Sequence, residues 1–256
     1  AEELRTVVAR KPVSTASNIS AENFSAEMKS QQPVVLPEVA VTPEVKTAPT
    51  LEGEHSAKQE REKYENIWTH EIYRQRSLGL DDADKVQLID HLRQRNVRSV
   101  LDAGCGSGKL MQRLIVNHGE EFSVHGFDIS RNCLDPYFDD IKDEILTVGC
   151  LWDSADMPGE YDAVICTDVL EHIPTERIAA VLANLRSCTR KLAYLAIALF
   201  PDGFGPERIG EPLHLTVKPP NWWYAQISVA GFRIESHAVE KYETGQDMWL
   251  HVMATV

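Results

Sequence analysis

The sequence predicts an α/β protein whose mostly parallel sheet carries helices on both faces. Two observations support this. From Ser99 onward, short apolar runs alternate with stretches patterned for helix, and that alternation is the mark of parallel strands joined by helical crossovers. The last two apolar runs, Phe232–Val239 and Met248–Val256, are separated only by a polar KYETGQ turn region, so the sheet is expected to finish in an antiparallel hairpin.

Each element has its own signal. AKQEREKYENIWTHEIYRQRS, from Ala57 to Ser77, is rich in helix formers. Tyr64, Ile67, Trp68, Ile72 and Tyr73 recur near helical spacing, which predicts one helix with an apolar stripe. Asp81 or Asp82 is the expected cap of a second helix, with Val86, Leu88, Ile89 and Leu92 on its inner face. Strands follow at Ser99–Ala103, Phe122–Phe127, Ile145–Gly149, Ala163–Cys166 and Ala193–Phe200, with helices at Lys109–Asn117 and Thr175–Ser187. A further helix begins at Trp222, Trp223 and Tyr224. One of these tryptophans is expected to anchor the helix on the sheet, and a sugar-stacking role is the alternative.

The 256 residues carry 26 basic and 39 acidic side chains, a formal charge of -13. That balance excludes a broadly basic nucleic-acid-binding surface. The longest apolar run, Leu192 to Phe200, is too short to span a bilayer. Five cysteines stand in unlike contexts without a pairing pattern, which favours a reducing compartment and a cytoplasmic location. Residues 1–60 differ from the rest: they hold five of the 13 prolines but a single aromatic residue, Phe24. Residues 1–57 are therefore expected to form a Pro-rich extended arm or linker, with Val34, Val35, Leu36, Val39 and Val41 as anchors for a protein partner. The folded domain is expected over residues 58–256.

The strongest local signal is SVLDAGCGSGKL, Ser99 to Leu110, in which glycines at 104, 106 and 108 follow a buried strand. Glycine permits a sharp turn and close approach of a ligand to the backbone, and the helix behind it offers free N–H groups. The spacing is GxGxG, so the loop is neither a Walker A loop nor the usual GxGxxG dinucleotide motif. Asp128 ends the next strand, where a carboxylate can accept both ribose hydroxyls of a nucleoside or cap the following turn. In WDSADMP, Asp153 is placed to accept from an exocyclic adenine amine, with Trp152 or Met157 near the ring.

LDAGCGSG, the acid in GFDIS, WDSADMP and YDAVICTDVLEHIP together resemble class I S-adenosylmethionine-dependent methyltransferases, in the small-molecule and saccharide branch. The resemblance implies a Rossmann-like, doubly wound seven-stranded sheet of order 3-2-1-4-5-7-6 with the last strand antiparallel. It also implies S-adenosyl-L-methionine as cofactor and S-adenosyl-L-homocysteine as product. The glycine loop with Asp102, Gly104, Cys105, Gly106 and Gly108 would pass beneath the methionine part. Asp128 and Ile129 would meet the ribose, and Trp152 and Asp153 the adenine. Asp168 and Val169, in the segment after the fourth strand, would flank the transferable methyl group. Trp152 stands where the family often has glycine. Tyr64, Trp68 and Arg74 fall in a segment resembling the helix that covers the cofactor in small methyltransferases of this kind.

Methyl transfer needs a nucleophile in line with the sulfonium and water kept out. A hydroxyl acceptor also benefits from a general base. His214, His172 and Glu171 are the candidates: the last two follow the fourth strand, and His214 lies in the Pro- and Gly-rich segment 201–221, a candidate lid. Phe204, Arg208 and Glu211 in that segment are candidate acceptor contacts. No clustered metal spacing is visible, so no metal is expected. The expected reaction is methyl transfer to a hydroxyl or amine of a small molecule or saccharide. No [DNS]PP[YF] segment follows the fourth strand and no PC dipeptide occurs, so nucleic acid is not an expected substrate. The other reading is a structural protein that keeps the fold and docks through its arm.

Overall fold

In the computed structural model, residues 56–75 and 78–256 are described. The expected arm and its candidate anchors lie outside the described residues. Seven strands form one sheet: β1 (Ser99–Ala103), β2 (Ser123–Asp128), β3 (Leu146–Val148), β4 (Tyr161–Thr167), β5 (Thr189–Ala198), β6 (Arg233–Lys241) and β7 (Asp247–Thr255). Their order is β3-β2-β1-β4-β5-β7-β6. The first five pair in parallel, and β7 runs antiparallel between β5 and β6. The expected sheet order and the terminal hairpin are both present.

Alternation along the strands divides the core. Leu101, Val164, Leu195 and Leu250 point to one face, where α7 (Ile178–Cys188) and α9 (Pro220–Val229) cover them with Leu182, Leu185, Trp223 and Ile227. Val100, Ile165, Tyr194 and Met253 point to the other face, against Val86, Leu88, Leu92 and Leu114. Those partners come from the segment holding α3 (Leu78–Lys85) and α4 (Leu88–Gln94), and from α5 (Lys109–His118). Burying both faces of a parallel sheet requires near-continuous apolar strands, and β5 is buried from Leu192 to Ala198. Trp223 is fully buried, so it anchors α9.

Three sequence expectations need correction. The helix expected over residues 57–77 is two. α1 (Ala57–Ile67) starts from a capping box in which Ser56 Oγ accepts from Gln59 N at 3.2 Å and Gln59 Oε1 accepts from Ser56 N at 3.0 Å. The chain then turns at Trp68–His70 and resumes as α2 (Glu71–Arg74), which leaves Ile72 exposed. Asp81 and Asp82 are not caps but lie inside α3. The break in this region is at Gln87, in left-handed conformation with φ 53°, from which α4 begins. The expected loop 201–221 contains a short helix, α8 (Phe204–Arg208). Among the described residues, no helix is long and apolar enough to cross a membrane.

Candidate active site

The glycine loop leaves β1 at its carboxyl end. Gly104 and Cys105 donate their N–H groups to Phe127 O at 2.7 and 3.0 Å, which folds the loop back over β2. Gly104 has φ +83°, and a Cβ there would lie 2.2 Å from Val169 Cγ2. Gly106 has φ +52°, and a Cβ there would lie 2.9 Å from the Trp68 ring. No side chain fits either position without displacement. Gly108, also in left-handed conformation, serves as N-cap of α5.

Asp128 faces this loop. Its carboxylate accepts from Gly106 N at 3.0 Å and from Ser130 N at 2.9 Å. Burial pushes its carboxyl up to about 6, against the pull of those N–H groups. Asp102 is buried behind it and is pushed up to about 7, first by burial and then by the Asp128 charge.

Two cavities meet above the loop. The first is bounded by Tyr64, Trp68, Gly104, Gly106, Asp128, Ile129, Trp152 and Val169. A buried carboxylate, a bare glycine backbone and apolar walls under two aromatic rings fit a nucleoside carrying a short polar tail. Asp128 would take the ribose hydroxyls, Ile129 and Trp152 would flank the base, and the glycines would leave room for the tail. The second cavity, about 220 Å³, is bounded by Tyr73, Phe200, Phe204, Leu213, Trp249 and the polar side chains of Asp102, Asp168, Asp202, His172 and His214. Cys105 lines this second cavity. The two share Trp68, Tyr73, Gly104, Gly106, Asp168 and His172.

Folding gathers a polar group at that junction. Asp168 follows β4 in left-handed conformation with φ 58°, and a 3-10 turn over Leu170–His172 follows it. Glu171 is fully buried; its Oε1 accepts from Ala198 N at 2.9 Å, and its main-chain oxygen accepts from Leu215 and Thr216 N–H. This last pair of bonds fastens the 201–221 segment to the end of β4. His172 Nδ1 lies 2.9 Å from the Tyr64 hydroxyl, and its Nε2 is 3.9 Å from Asp168 Oδ1. His214 Nδ1 lies 2.6 Å from Phe200 O, which makes Nδ1 the donor and leaves Nε2 with a lone pair. The two imidazole rings meet edge to face at 4.8 Å.

Asp202 holds His214 in place. One carboxylate oxygen accepts from Leu213 N and His214 N at 2.8 and 3.0 Å, and the other accepts from Gly205 N at 2.7 Å. Burial, then the neighbouring His172, lowers the His214 pKa below the usual imidazole value. Glu171 is raised well above the carboxylate range by burial and by the Asp168 charge. Burial opposes ionisation of Asp168 as well, yet the His172 imidazole, a hydrogen bond from the Glu171 carboxyl and the His214 imidazole hold it below its ordinary value.

Several sequence candidates fall elsewhere. Asp153 is exposed; its carboxylate accepts from Ala155 N at 3.0 Å, and it lines neither cavity. It caps the turn that follows the third strand. The carboxylate that reaches back to the strand end is Asp156, which accepts from Cys150 N at 2.8 Å. Arg74 is spent on the main-chain oxygens of Asn132, Cys133 and Leu134. It clamps the cover to the β2 loop and lines neither cavity. Arg208 and Glu211 are exposed, whereas Phe204 does line the second cavity. Trp222 packs on Trp223 and lines neither cavity. Sequence reading missed Asp202, Phe200 and Trp249. Trp249 sits opposite Ala198 only through the antiparallel register of β5 and β7, which no local pattern encodes.

A sheet of this order, with a glycine loop after β1, an acid ending β2 and a polar turn after β4, defines a class I S-adenosylmethionine-dependent methyltransferase. Residues 72–235 match the family described as methyltransferase domain, and the chain belongs to that family. It is 36% identical over 104 residues to magnesium-protoporphyrin O-methyltransferase of Synechocystis sp., covering 39% of this chain and 44% of that one. It is 34% identical over 98 residues to ubiquinone biosynthesis O-methyltransferase of Methylococcus capsulatus, covering 36% of this chain and 38% of that one. The matched stretch spans less than half the length of these curated relatives. The crystal structure of magnesium protoporphyrin IX methyltransferase from Synechocystis PCC 6803 with bound SAH superposes with a TM-score of 0.57 at 20% identity. That superposition covers 78% of this chain and 98% of the other.

Proposed function

We propose that the protein transfers a methyl group from S-adenosyl-L-methionine to a hydroxyl oxygen of a small, single-ring acceptor. One observation carries the reading: the nucleoside-shaped cavity and the aromatic-walled cavity meet at Asp168 and His172, beside His214. When bound, the cofactor supplies an electrophilic methyl on a sulfonium. Gly104, Gly106 and Asp128 would hold it with that methyl toward the junction, and Tyr64 and Trp68 would cover it from water. Phe200, Phe204 and Trp249 give the acceptor flat apolar walls, and about 220 Å³ suits one ring. The reaction forms an O–C bond and breaks a C–S bond, leaving the electron pair on sulfur. The hydroxyl proton must leave, and His214, His172 and Asp168 are the polar groups at the junction that make its departure easier. The named activities of both curated relatives are O-methylations, which agrees with an oxygen acceptor. Glu171 stands behind this wall and lines neither cavity, so its part is to fix the turn rather than touch the acceptor.

The test is incubation of the full chain with methyl-labelled cofactor and a panel of phenols, catechols, aryl amines and saccharides. A labelled methyl ether on a ring hydroxyl is expected. Label confined to amines or sugars, or no label on any acceptor, would overturn the reading.

A further inference from the structure

We infer that Asp168, Glu171, His172 and His214 form a site for one divalent first-row cation, such as Mn²⁺, Fe²⁺ or Zn²⁺, in the wall between the two cavities. One ligand-type atom from each of the four lies within 4.8 Å of the others. Bonds of about 2.0–2.2 Å from nitrogen and carboxylate oxygen put tetrahedral ligands roughly 3.4 Å apart, so the widest pair would close by about an ångström or slightly more on binding.

Proximity alone would be weak, because acidic clusters are common. What distinguishes this one is that two of its members, Glu171 and His172, are each anchored through one atom while another buried atom makes no hydrogen bond. Glu171 is wholly buried, with Oε1 on Ala198 N and no hydrogen bond at Oε2. His172 is nine-tenths buried, with Nδ1 on the Tyr64 hydroxyl and no hydrogen bond at Nε2. His214 has Nδ1 on Phe200 O, which leaves its Nε2 lone pair available. An imidazole that donates one nitrogen to a carbonyl or hydroxyl, and so presents the other as a lone pair, has the outer-shell support typical of metal-bound histidines. A buried polar atom left unpaired destabilises the fold, and a cation at this point would give both of these atoms a partner.

The donor set narrows the ion. Two imidazoles and two carboxylates suit a borderline first-row cation better than Ca²⁺, which prefers six to eight oxygens, or Mg²⁺, which keeps most of its water. Asp168, His172 and His214 line the acceptor-side cavity and Glu171 lies behind them, so the open side of the ion would face the acceptor. This inference deepens the oxygen-acceptor reading and rests on it for its role. The cation would draw the acceptor hydroxyl to the junction and lower its pKa, as it does for bound water. The proton would pass to solvent, and His214 would act as a ligand rather than a base.

The test uses chelator-treated full chain titrated with Mn²⁺, followed by electron paramagnetic resonance and by metal analysis of the gel-filtered protein. About one equivalent per chain is expected. Asp168→Asn, which suits the left-handed backbone, and His214→Ala should each weaken Mn²⁺ binding by roughly tenfold or more. A retained cooperative thermal unfolding transition by circular dichroism checks that both variants fold. Labelled methyl transfer should fall after chelation and return with Mn²⁺ or Zn²⁺. A chain that transfers methyl but takes up no cation, or binds it equally well in both variants, overturns the cation site and leaves the methyl-transfer reading standing. A chain that binds one equivalent, loses it in the variants and methylates nothing supports the site and overturns the methyl-transfer reading instead.

Discussion

The cofactor-side and acceptor-side halves of the site are built in different ways. On the cofactor side, β1 and β2 and the loops that leave them supply main-chain N–H groups, bare glycines and one carboxylate within residues 102–130, and Tyr64, Trp68, Trp152 and Val169 close the walls. On the acceptor side, the walls come from Trp68 and α2, the turn after β4, the 200–214 segment and β7. They are held by side-chain contacts such as Tyr64 to His172, 108 positions apart in sequence. The first half is therefore specified by backbone shape and tolerates almost no substitution. The second is specified by side chains and can change its acceptor without disturbing the fold.

Four substitutions probe that contrast, beginning with the largest effect. Gly104→Ala should abolish cofactor binding, because its Cβ would overlap Val169 at a positive φ. Calorimetry should show at least roughly a hundredfold loss, worth about 2.7 kcal/mol; a loss under threefold would mean that the loop is not the cradle. His214→Ala should lower kcat by roughly tenfold or more while cofactor Kd stays within roughly threefold. Parallel loss of both would erase the distinction between the halves. Tyr64→Phe removes the hydroxyl beside His172 and keeps the ring over the cofactor. Steady-state kinetics should show kcat down by roughly tenfold with little change in cofactor Kd.

The last effect is on stability. Burial raises Asp102 to about 7 in the folded protein, while an unfolded aspartate titrates near 3.9. Between those values the folded state holds a proton that the unfolded state has lost. Stability therefore falls as pH rises through this window and levels off above about 7. Asp102→Asn has no such charge to bury. Without cofactor it should be more stable than the wild type at pH 8, by about 4 kcal/mol, with the gap narrowing as pH falls toward 5. Urea unfolding at several pH values measures this, and a pH-independent gap would contradict it.

Much of the cofactor half was legible because its chemistry is contiguous. GCGSG forces its own turn, and Asp128 ends its strand beside it. The sheet order followed from motif order and the terminal hairpin. The position of Asp153 was not legible, because WDSADMP contains two acids three positions apart and the backbone decides that Asp156 rather than Asp153 reaches back to the strand end. The acceptor half was only partly legible. VLEHI marked Glu171 and His172, and HLTV marked His214, but nothing in their spacing announces that four ligand-type side chains converge. That convergence depends on Glu171 O receiving the 215–216 N–H groups across the turn. Asp202 and Trp249 were invisible for a similar reason: one acts through main-chain groups 11 and 12 residues away, the other through strand register.

The account stands on two cavities meeting at Asp168 and His172, and a crystal structure with S-adenosyl-L-homocysteine tests this most directly. Its ribose should lie on Asp128, with adenine between Ile129 and Trp152 and the sulfur directed at the Asp168–His172 junction. A nucleoside seated instead among Phe200, Phe204 and Trp249, or a sulfur pointing away from His172, would contradict it.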